Sequence, residues 1–184
     1  MKTVTVRIEG ISSLLMHRFP IAEEDAKSKL KNQKQTEDDV ESYLYKDADG
    51  TLVQPSTHII GTLKHAGAKF QISGQGKLTY KKIMGSGAVI IMPDMIPHEI
   101  QAWCVDRRPV VIQRARIVRS RPMLEKWALS FEIEYDDDEV TKATLEEILA
   151  YAGKRSGIGD FRPQVGGPFG RFMVTKFEDV NADS

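Results

Sequence analysis

A glycine-rich segment near the C-terminus, from Lys154 to Phe177, constrains the fold of this chain more than any other segment. Its sequence, KRSGIGDFRPQVGGPFGRFMVTKF, places five glycines and two prolines between a predicted helix and a predicted strand. Glycine permits positive φ and close backbone approach, and successive N–H groups in such a loop form a concave anion site. P-loops and dinucleotide fingerprints run in the order strand, loop, helix. The different order here disfavours a mononucleotide and favours the phosphate backbone of a polymer.

Composition indicates one ordinary globular domain. The 184 residues include 26 basic and 26 acidic side chains, so the chain is not a general polycation. No apolar run approaches the roughly 18 residues that a membrane span needs, and the N-terminus alternates instead of forming a signal core. The single cysteine, Cys104, excludes an internal disulfide and fits a reducing compartment. We therefore expect a single cytoplasmic domain over 1–184 with no membrane partner.

Basic side chains are nevertheless concentrated between Asp106 and Lys126, a stretch with six arginines. A local basic surface on a neutral protein is typical of nucleic-acid binders. A solvated arginine-rich strand gives the same pattern. We expect two of the following four side chains to reach nucleic acid and the others to form surface ion pairs: Arg114, Arg116, Arg119 and Arg121.

Alternating hydrophobicity predicts the strands. Trp127 and Phe131 fall on the apolar side of the clearest one and are predicted core residues. The segment SRPML, residues 120–124, is predicted to be a turn that Pro122 helps to set. The predicted strands are Thr3–Glu9, Ala88–Met92, Val110–Val118, Lys126–Tyr135 and Arg171–Phe177.

Helical periodicity predicts two amphipathic helices. The first begins at Ser56 or Thr57, and the second begins at a capping box formed by Thr144 and Glu147 and ends at Gly153. The apolar face of the first helix contains Ile60, Leu63, Gly67 and Phe70. That of the second contains Leu145, Ile148, Leu149 and Ala152.

The order of these elements predicts an α+β fold. Without its insertions, at about 18–54 and 71–109, the chain reads βαββαβ, which is the ferredoxin-like (RRM-type) core. An inserted loop or hairpin region and the C-terminal glycine-rich loop complete the domain. In the related RNA-recognition domains, nucleic acid lies on the open face of the sheet.

Two motifs resemble the RAMP superfamily of CRISPR-associated RNA-binding proteins. The segment GIGDFRPQVGGPFGRFMV, residues 157–174, looks like the glycine-rich loop of that superfamily. The segment PSTHIIGTLKHA, residues 55–66, is similar to the start of helix one in the backbone subunits of CRISPR effector complexes. The resemblance implies a protruding inserted hairpin. It also implies copies of the chain that stack head to tail along a single-stranded guide RNA, together with other effector-complex subunits.

The predicted RNA contacts come from this resemblance and from local charge. The resemblance implies phosphate or sugar contacts at Ser56, Lys64 and the glycine-rich loop with Arg162. Phe161, Phe169 and Tyr80 could stack on bases, although Phe169 fits better as a residue that seals the core. The predicted RNA-binding set is Arg18, Ser56, Lys64, Lys69, Arg114, Arg116, Lys154, Arg155, Gly157, Gly159, Arg162, Gly166, Gly167 and Arg171.

The leading interpretation is an RNA-binding backbone-type subunit without catalysis of its own, and two alternatives stay open. The first is an endoribonuclease, because processing enzymes of the superfamily use a histidine near helix one. His17, His58 and His65 are the candidates for proton transfer. The second is a single-stranded DNA-binding protein of a mobile element. We expect no cofactor and no metal site, since four scattered histidines and one cysteine give no zinc spacing.

Overall fold

A computed structural model of the chain describes residues 1–19, 40–112 and 115–180. Side chains of the inserted hairpin are described up to residue 109 and from residue 118. The described residues form nine strands and two α-helices, which are β1 (Lys2–Gly10), β2 (Leu14–Leu15), β3 (Val53–Pro55), α1 (Ser56–Gly67), β4 (Val89–Met92), β5 (Met95–Pro97), β6 (Cys104–Ile112), β7 (Ala115–Leu124), β8 (Ala128–Tyr135), α2 (Lys142–Arg155) and β9 (Phe172–Asp179).

Four strands form the main sheet in the spatial order β4-β8-β1-β9, and every neighbouring pair is antiparallel. Along the chain, β1 is followed by α1, then by β4 and β8, then by α2 and β9. The first strand of this core therefore lies beside the third, and the last strand lies at an edge. This is the βαββαβ arrangement, so the predicted α+β class with a ferredoxin-like core is confirmed.

Both helices cover the same face of the main sheet. Val4, Val6 and Ile8 of β1 are fully buried on that face and lie opposite buried residues of β8. Apolar side chains of both helices join them in one core cluster. Trp127 and Phe131, predicted as core residues, are 1% and 4% exposed. The period-two alternation of the sequence thus reports the buried face correctly.

Helix α2 has the predicted apolar face but different ends. Thr141 accepts the capping hydrogen bond from the N–H of Thr144 at 3.2 Å, so the cap lies three residues before the predicted one. The helix also continues through Gly153 to Arg155. A side chain at Gly153 would overlap the carbonyl of Phe172. This glycine therefore allows β9 to pack closely on the helix, and it does not end the helix.

Helix α1 is shorter than its predicted apolar face. It ends at Gly67, and Phe70 lies beyond it, edge-on to Tyr151 with ring centroids 5.7 Å apart. Leu63 is fully buried as predicted, whereas Ile60 is only half-buried. Within the described residues, no helix is both long and apolar enough to cross a membrane.

The part of the chain from the second to the third core strand, β4 to β8, differs most from the prediction. The second core strand is β4, which lies inside the 71–109 segment that the sequence assigned to an insertion. Strands β6 and β7 pair with each other as a long hairpin, and the predicted turn at 120–124 is part of β7. Strand pairing overrides the weak strand propensity of these residues. The hairpin joins β2 in a second sheet of order β2-β7-β6.

Side-chain contacts fix this hairpin to residues 156–171, which we call the glycine loop. Arg121 is buried, donates to Asp160 Oδ2 at 2.9 Å, and lies 3.9 Å from Asp106. Burial raises the pKa of Asp160, but the hydrogen bond and charge of Arg121 outweigh this and hold that pKa below its usual range. Arg108 lies over the ring of Phe169, 4.6 Å from its centroid. The buried position of Arg121 contradicts the prediction that it reaches RNA or forms a surface ion pair.

His98 is a buried polar residue that packs like an apolar one. It is 3% exposed, and its ring lies edge-on to Trp127 at a centroid distance of 6.4 Å. Neither ring nitrogen has a hydrogen-bond partner among the described residues. Burial lowers the pKa of His98 to about 4, so the ring is neutral in the folded chain at neutral pH.

Replacing Arg121 with methionine is expected to lower the free energy of unfolding by about 3 kcal/mol, because Asp160 loses its counter-charge in a partly buried site while Asp106 keeps only Arg108. Arg107→Met is the matched control, since Arg107 is exposed on β6. Urea unfolding at neutral pH measures both variants. Equally small losses in the two would show that the ion pair does not hold the hairpin in place.

The free energy of unfolding is expected to fall by up to about 3 kcal/mol as the pH drops from 6.5 towards 4, because the unfolded chain protonates His98 and the folded chain does not. His98→Phe should remove this part of the pH dependence. Urea titrations of the two proteins across that range measure the difference. Parallel pH profiles for wild type and variant would contradict the assignment.

Candidate nucleic-acid interface

The glycine loop is tightly packed against the rest of the chain. Gly159 has a φ of 77°, and a side chain there would lie 2.5 Å from the carbonyl oxygen of Leu15. Gly170 has a φ of 67°, and a side chain there would overlap the carbonyl of Ile158. Both the positive φ and the close contact require glycine. The loop is therefore a structural element that brings α2 and β9 together.

The main-chain N–H groups of this loop are mostly used inside the protein. Those of Gly157, Gly166 and Gly167 donate to carbonyls of helix α2 and of the loop itself. The N–H of Gly170 donates to the carbonyl of Ser13 at 2.8 Å. The sequence predicted bare N–H groups forming an anion cradle, and at these four positions that prediction is wrong. Charged side chains are left as the groups that can hold phosphates here.

One side of the loop borders a cleft of about 410 Å³, which we call the central cleft. It lies between helix α1, the glycine loop, and the chain around residues 16–17 and 45. Six of its lining residues were predicted from the sequence. Gly157, Gly159 and Arg162 belong to the predicted RNA-binding set, His17 and His58 are candidate catalytic histidines, and Thr57 lies at the predicted start of the first helix. The lining includes His17, Tyr45, Gln54, Thr57, His58, Gly61, Gly157, Gly159, Asp160 and Arg162.

His58 has its ring fixed from two sides. Its Nδ1 forms a hydrogen bond with the amide nitrogen of Gln54, and its ring lies edge-on to Tyr45 at a centroid distance of 5.1 Å. Burial and the nearby charge of Arg162 lower the pKa of His58. His58 is therefore neutral at neutral pH, with Nδ1 as the acceptor in this bond.

The other two candidate histidines have different surroundings. His17 stacks on Tyr43 with ring centroids 4.5 Å apart, and Arg119 Nη2 lies 3.0 Å from its Nε2. Burial and the charge of Arg119 lower its pKa. His65 bonds to Ser156 Oγ at 2.7 Å, and burial lowers its pKa. His17 and His58 thus share the central cleft, and His65 is not part of its lining.

Arg162 is the cationic side chain of the central cleft. Its Nη1 donates to the carbonyl of Gly159 at 2.9 Å, and its Nε donates to Gln164 Oε1 at 3.1 Å. A guanidinium group has five N–H donors, so these bonds fix its position while other donors stay available. A fixed planar guanidinium is well suited to bind phosphate oxygens in pairs.

The other side of the loop forms a second concave surface of about 570 Å³, which we call the basic groove. Lys154, Arg155 and Arg171 line it, together with Pro163, Gly167 and Pro168. The first two lie in the last turn of α2, where cations are favourable beside the helix C-terminus. All three cations are exposed, and none pairs with an acidic side chain of the described part of the chain. The structure thus brings together four of the predicted RNA-binding residues, namely the three cations and Gly167.

The remaining predicted RNA-binding residues lie elsewhere. The hydroxyl of Ser56 donates to Asp94 Oδ1 at 2.8 Å, so an internal carboxylate occupies the start of α1. Lys64 and Lys69 are exposed outside both concave surfaces, and the half-buried Arg18 donates its N–H to the carbonyl of Tyr43. Arg114 lies outside the described residues. Arg116 lies in β7, opposite Val111.

The open face of the main sheet is acidic. Ser130, Glu132 and Glu134 of β8 alternate with buried residues and so point away from the helices. Arg7 on this face is paired with Glu99 at 2.9 Å. Exposed carboxylates repel phosphates, so this face does not suit the mode of RNA-recognition domains. The two surfaces beside the glycine loop are the better candidates.

Sequence reasoning did not name Tyr45 or Asp160 as site residues. Tyr45 follows a polar stretch with no clear period, and Asp160 looks like an ordinary loop carboxylate. The resemblance motif contains Asp160 but assigns it no role. In the described part of the chain, no three His, Cys, Asp or Glu side chains are grouped so that they could hold a metal ion.

Comparisons with known proteins give little beyond the geometry. No family model matches the sequence, and no curated protein matches it. Among solved structures, a chain of the cryo-EM structure of the type III-B Cmr-beta bound to cognate target RNA is similar, with 15% sequence identity and a TM-score of 0.47. The similarity covers 97% of this chain and 61% of that one, so this chain spans about three fifths of its neighbour's length.

Proposed function

We propose that this protein binds single-stranded RNA along the glycine loop, with the phosphates held by the basic groove and by Arg162. The observation that carries the proposal is the set of three exposed cations, Lys154, Arg155 and Arg171, around one concave surface without acidic partners in the described chain. Unpaired cations in a groove keep their full charge for a polyanion.

The charge distribution supports this path for the strand. The chain carries no net charge, so long-range attraction to nucleic acid is weak. At physiological salt, charges interact over only about 8 Å, and the local arrangement decides where a strand binds. The acidic open face repels phosphate, whereas the glycine loop has cations on both flanks. A single-stranded RNA is therefore attracted to the glycine loop and not to the open face of the sheet.

Phe161 supports a single-stranded ligand. Its side chain is 41% exposed and lies next to Arg162, and its φ of 49° is unfavourable for a residue other than glycine. An exposed aromatic ring on a residue with an unfavourable backbone conformation, next to the cationic Arg162, is suited to stack on an unpaired base. Such stacking contributes about 1–3 kcal/mol per base and needs no particular sequence.

We further propose that the ligand is a guide RNA and that copies of the chain assemble along it within a CRISPR-type ribonucleoprotein. The support for this finer assignment is the resemblance of residues 55–66 and 157–174 to the RAMP superfamily. The β6–β7 hairpin is of the inserted kind that this resemblance implies. Elution of the RNA complex at a mass of several chains per strand tests the assembly.

Simultaneous replacement of Lys154, Arg155 and Arg171 by alanine is expected to weaken RNA binding at all sequences. It should also reduce the slope of log affinity against log salt by about 2, because each phosphate contact with a single strand contributes about 0.7. Fluorescence anisotropy with a labelled single-stranded RNA between about 50 and 200 mM salt measures both quantities. Arg162→Ala and Lys64→Ala are tested separately in the same way.

The matched control is the double variant Lys142→Ala and Lys176→Ala, whose ammonium groups pair with Asp179 and Glu178 away from the loop. It should keep the wild-type affinity and slope. An unchanged slope in the triple variant would contradict the proposal. Equal affinity for RNA and DNA of one sequence would favour a single-stranded DNA-binding protein, since recognition of the 2′-hydroxyl discriminates RNA.

A metal-independent endoribonuclease is the second candidate, and the central cleft is the observation that favours it. His17 and His58 both line that cleft with Arg162, and the pKa of each histidine is lowered. To take the proton from a 2′-hydroxyl, either imidazole would first exchange the N–H donor that its acceptor nitrogen now binds, from Gln54 or Arg119, for the substrate, and a guanidinium can stabilise the charge on the phosphate.

For this second candidate, cleavage of a hairpin RNA in the presence of EDTA is the expected result. His58→Ala or His17→Ala should abolish cleavage, because the general base is lost, while His65→Ala should leave it intact. Denaturing gel electrophoresis of the products measures the activity. Absence of any cleavage by the wild-type protein, with RNA binding retained, would leave only the binding function.

A further inference from the structure

We propose that the central cleft receives one base of the bound strand and prefers a base that carries an exocyclic amino group. This inference rests on the proposed RNA binding and deepens it, since it adds base selection at one nucleotide. The strand would keep its phosphates at the basic groove and at Arg162, while one nucleotide turns out of the strand into the cleft.

Gln54 supplies the recognising group. It is 1% exposed and lines the cleft, and its Oε1 has no hydrogen-bond partner among the described residues. Its amide nitrogen is engaged with His58, so the side chain is held in place. A buried carbonyl oxygen without a partner is unfavourable and rare in folded proteins. This oxygen has almost no solvent exposure, so a donor from a ligand in the cleft would satisfy it after a small rotation of the carboxamide.

The walls of the cleft suit a flat heterocycle. Tyr45 and His58 present aromatic rings at its side, and Arg162 lies at the same cleft with further guanidinium donors that are unused within the described residues. The volume of about 410 Å³ falls in the range of small-molecule sites, which is roughly 300–1,000 Å³. Aromatic rings and an arginine that surround an unpaired amide oxygen match the way proteins hold single-stranded bases.

The chemistry of Gln54 Oε1 selects among the bases. It can only accept a hydrogen bond, and the exocyclic amino groups of cytosine and adenine donate one. Uracil carries a carbonyl oxygen where cytosine carries its amino group, so two acceptors would face each other. Cytosine and uracil have the same size but differ at N3 as well, which accepts a hydrogen bond in cytosine and donates one in uracil, so the contact with Gln54 is identified by the loss of the preference in Gln54→Met.

Gly61 provides a way to fill the cleft without disturbing the core. It lies in the middle of α1 and lines the cleft, and no atom of the described residues, the helix backbone aside, lies within 4 Å of the position that a Cβ would occupy. A larger residue is a better helix former than glycine. Gly61→Leu should therefore fold at least as well as the wild type while its side chain occupies the space for the base.

The test compares binding of 15-nucleotide oligocytidine and oligouridine to the full chain by fluorescence anisotropy at one salt concentration. We expect oligocytidine to bind roughly five- to tenfold more tightly to the wild type, as one hydrogen bond allows. Gln54→Met removes the carboxamide at similar volume and should bring the two affinities together, and Gly61→Leu should do the same. Lys142→Ala, outside the site, should keep the preference.

Each outcome decides between the two proposals. Binding without a preference for cytidine, or a preference that both Gln54→Met and Gly61→Leu retain, overturns the base site and leaves RNA binding in place. Failure of the wild type to bind either oligonucleotide overturns RNA binding itself. If Gln54→Met fails to fold, as a thermal unfolding scan would show, Gly61→Leu alone carries the decision.

Discussion

The inward packing of the glycine-loop backbone is the constraint on which the rest of the interface depends. Glycine at positions 159 and 170 lets the main chain approach the carbonyls of Leu15 and Ile158, and nearby loop N–H groups donate to internal carbonyls, such as that of Asp160 to Leu15 and that of Gly170 to Ser13. Because the backbone faces the protein, the charged side chains face outward. Arg162 then lies at the central cleft, and the other cations lie at the basic groove.

The hairpin and the loop support one another. Arg121 of β7 ties the hairpin to Asp160, and Asp160 Oδ1 in turn accepts the N–H of Phe161 at 3.0 Å. A contact within the hairpin therefore fixes the residue that presents an aromatic ring beside Arg162. Because Arg121 is buried and Asp160 is half-buried, the pair is sensitive to loss of either partner. Arg108 and Arg121 of the hairpin contact the glycine loop, whereas Arg107 is exposed.

The sequence predicts the features that depend on local periodicity. The alternation of β1 and β8, the apolar face of α2 and the order of the core elements all follow from side chains close together in the chain. Prediction from the sequence fails where the hydrogen-bond or ion-pair partner of a residue lies far away along the chain. Ser56 is satisfied by Asp94, 38 residues later, and Arg121 by Asp160, 39 residues later. No local pattern reveals that these donors are already used.

The sequence predicts the position of the glycine-rich loop correctly but assigns its anion binding to main-chain N–H groups, and those of Gly157, Gly166, Gly167 and Gly170 are used inside the protein. Glycine in a loop is compatible with exposed N–H groups and equally with backbone packed against backbone. Only the three-dimensional partners of those N–H groups distinguish the two cases. The same segment contains the cationic side chains. These side chains, and not the main-chain N–H groups, supply the positive charge of the two concave surfaces.

Groups that lower stability are concentrated at the central cleft. Gln54 has a buried oxygen with no partner among the described residues, Gly61 weakens the middle of a helix, and His58 is half-buried beside a cation. Unsatisfied groups alone do not define a site, because His98 is also unpaired and lies against Trp127 outside the cleft. At the cleft, the same unfavourable features coincide with open volume, aromatic walls and a fixed guanidinium. That coincidence is expected where a ligand supplies what the fold leaves unsatisfied.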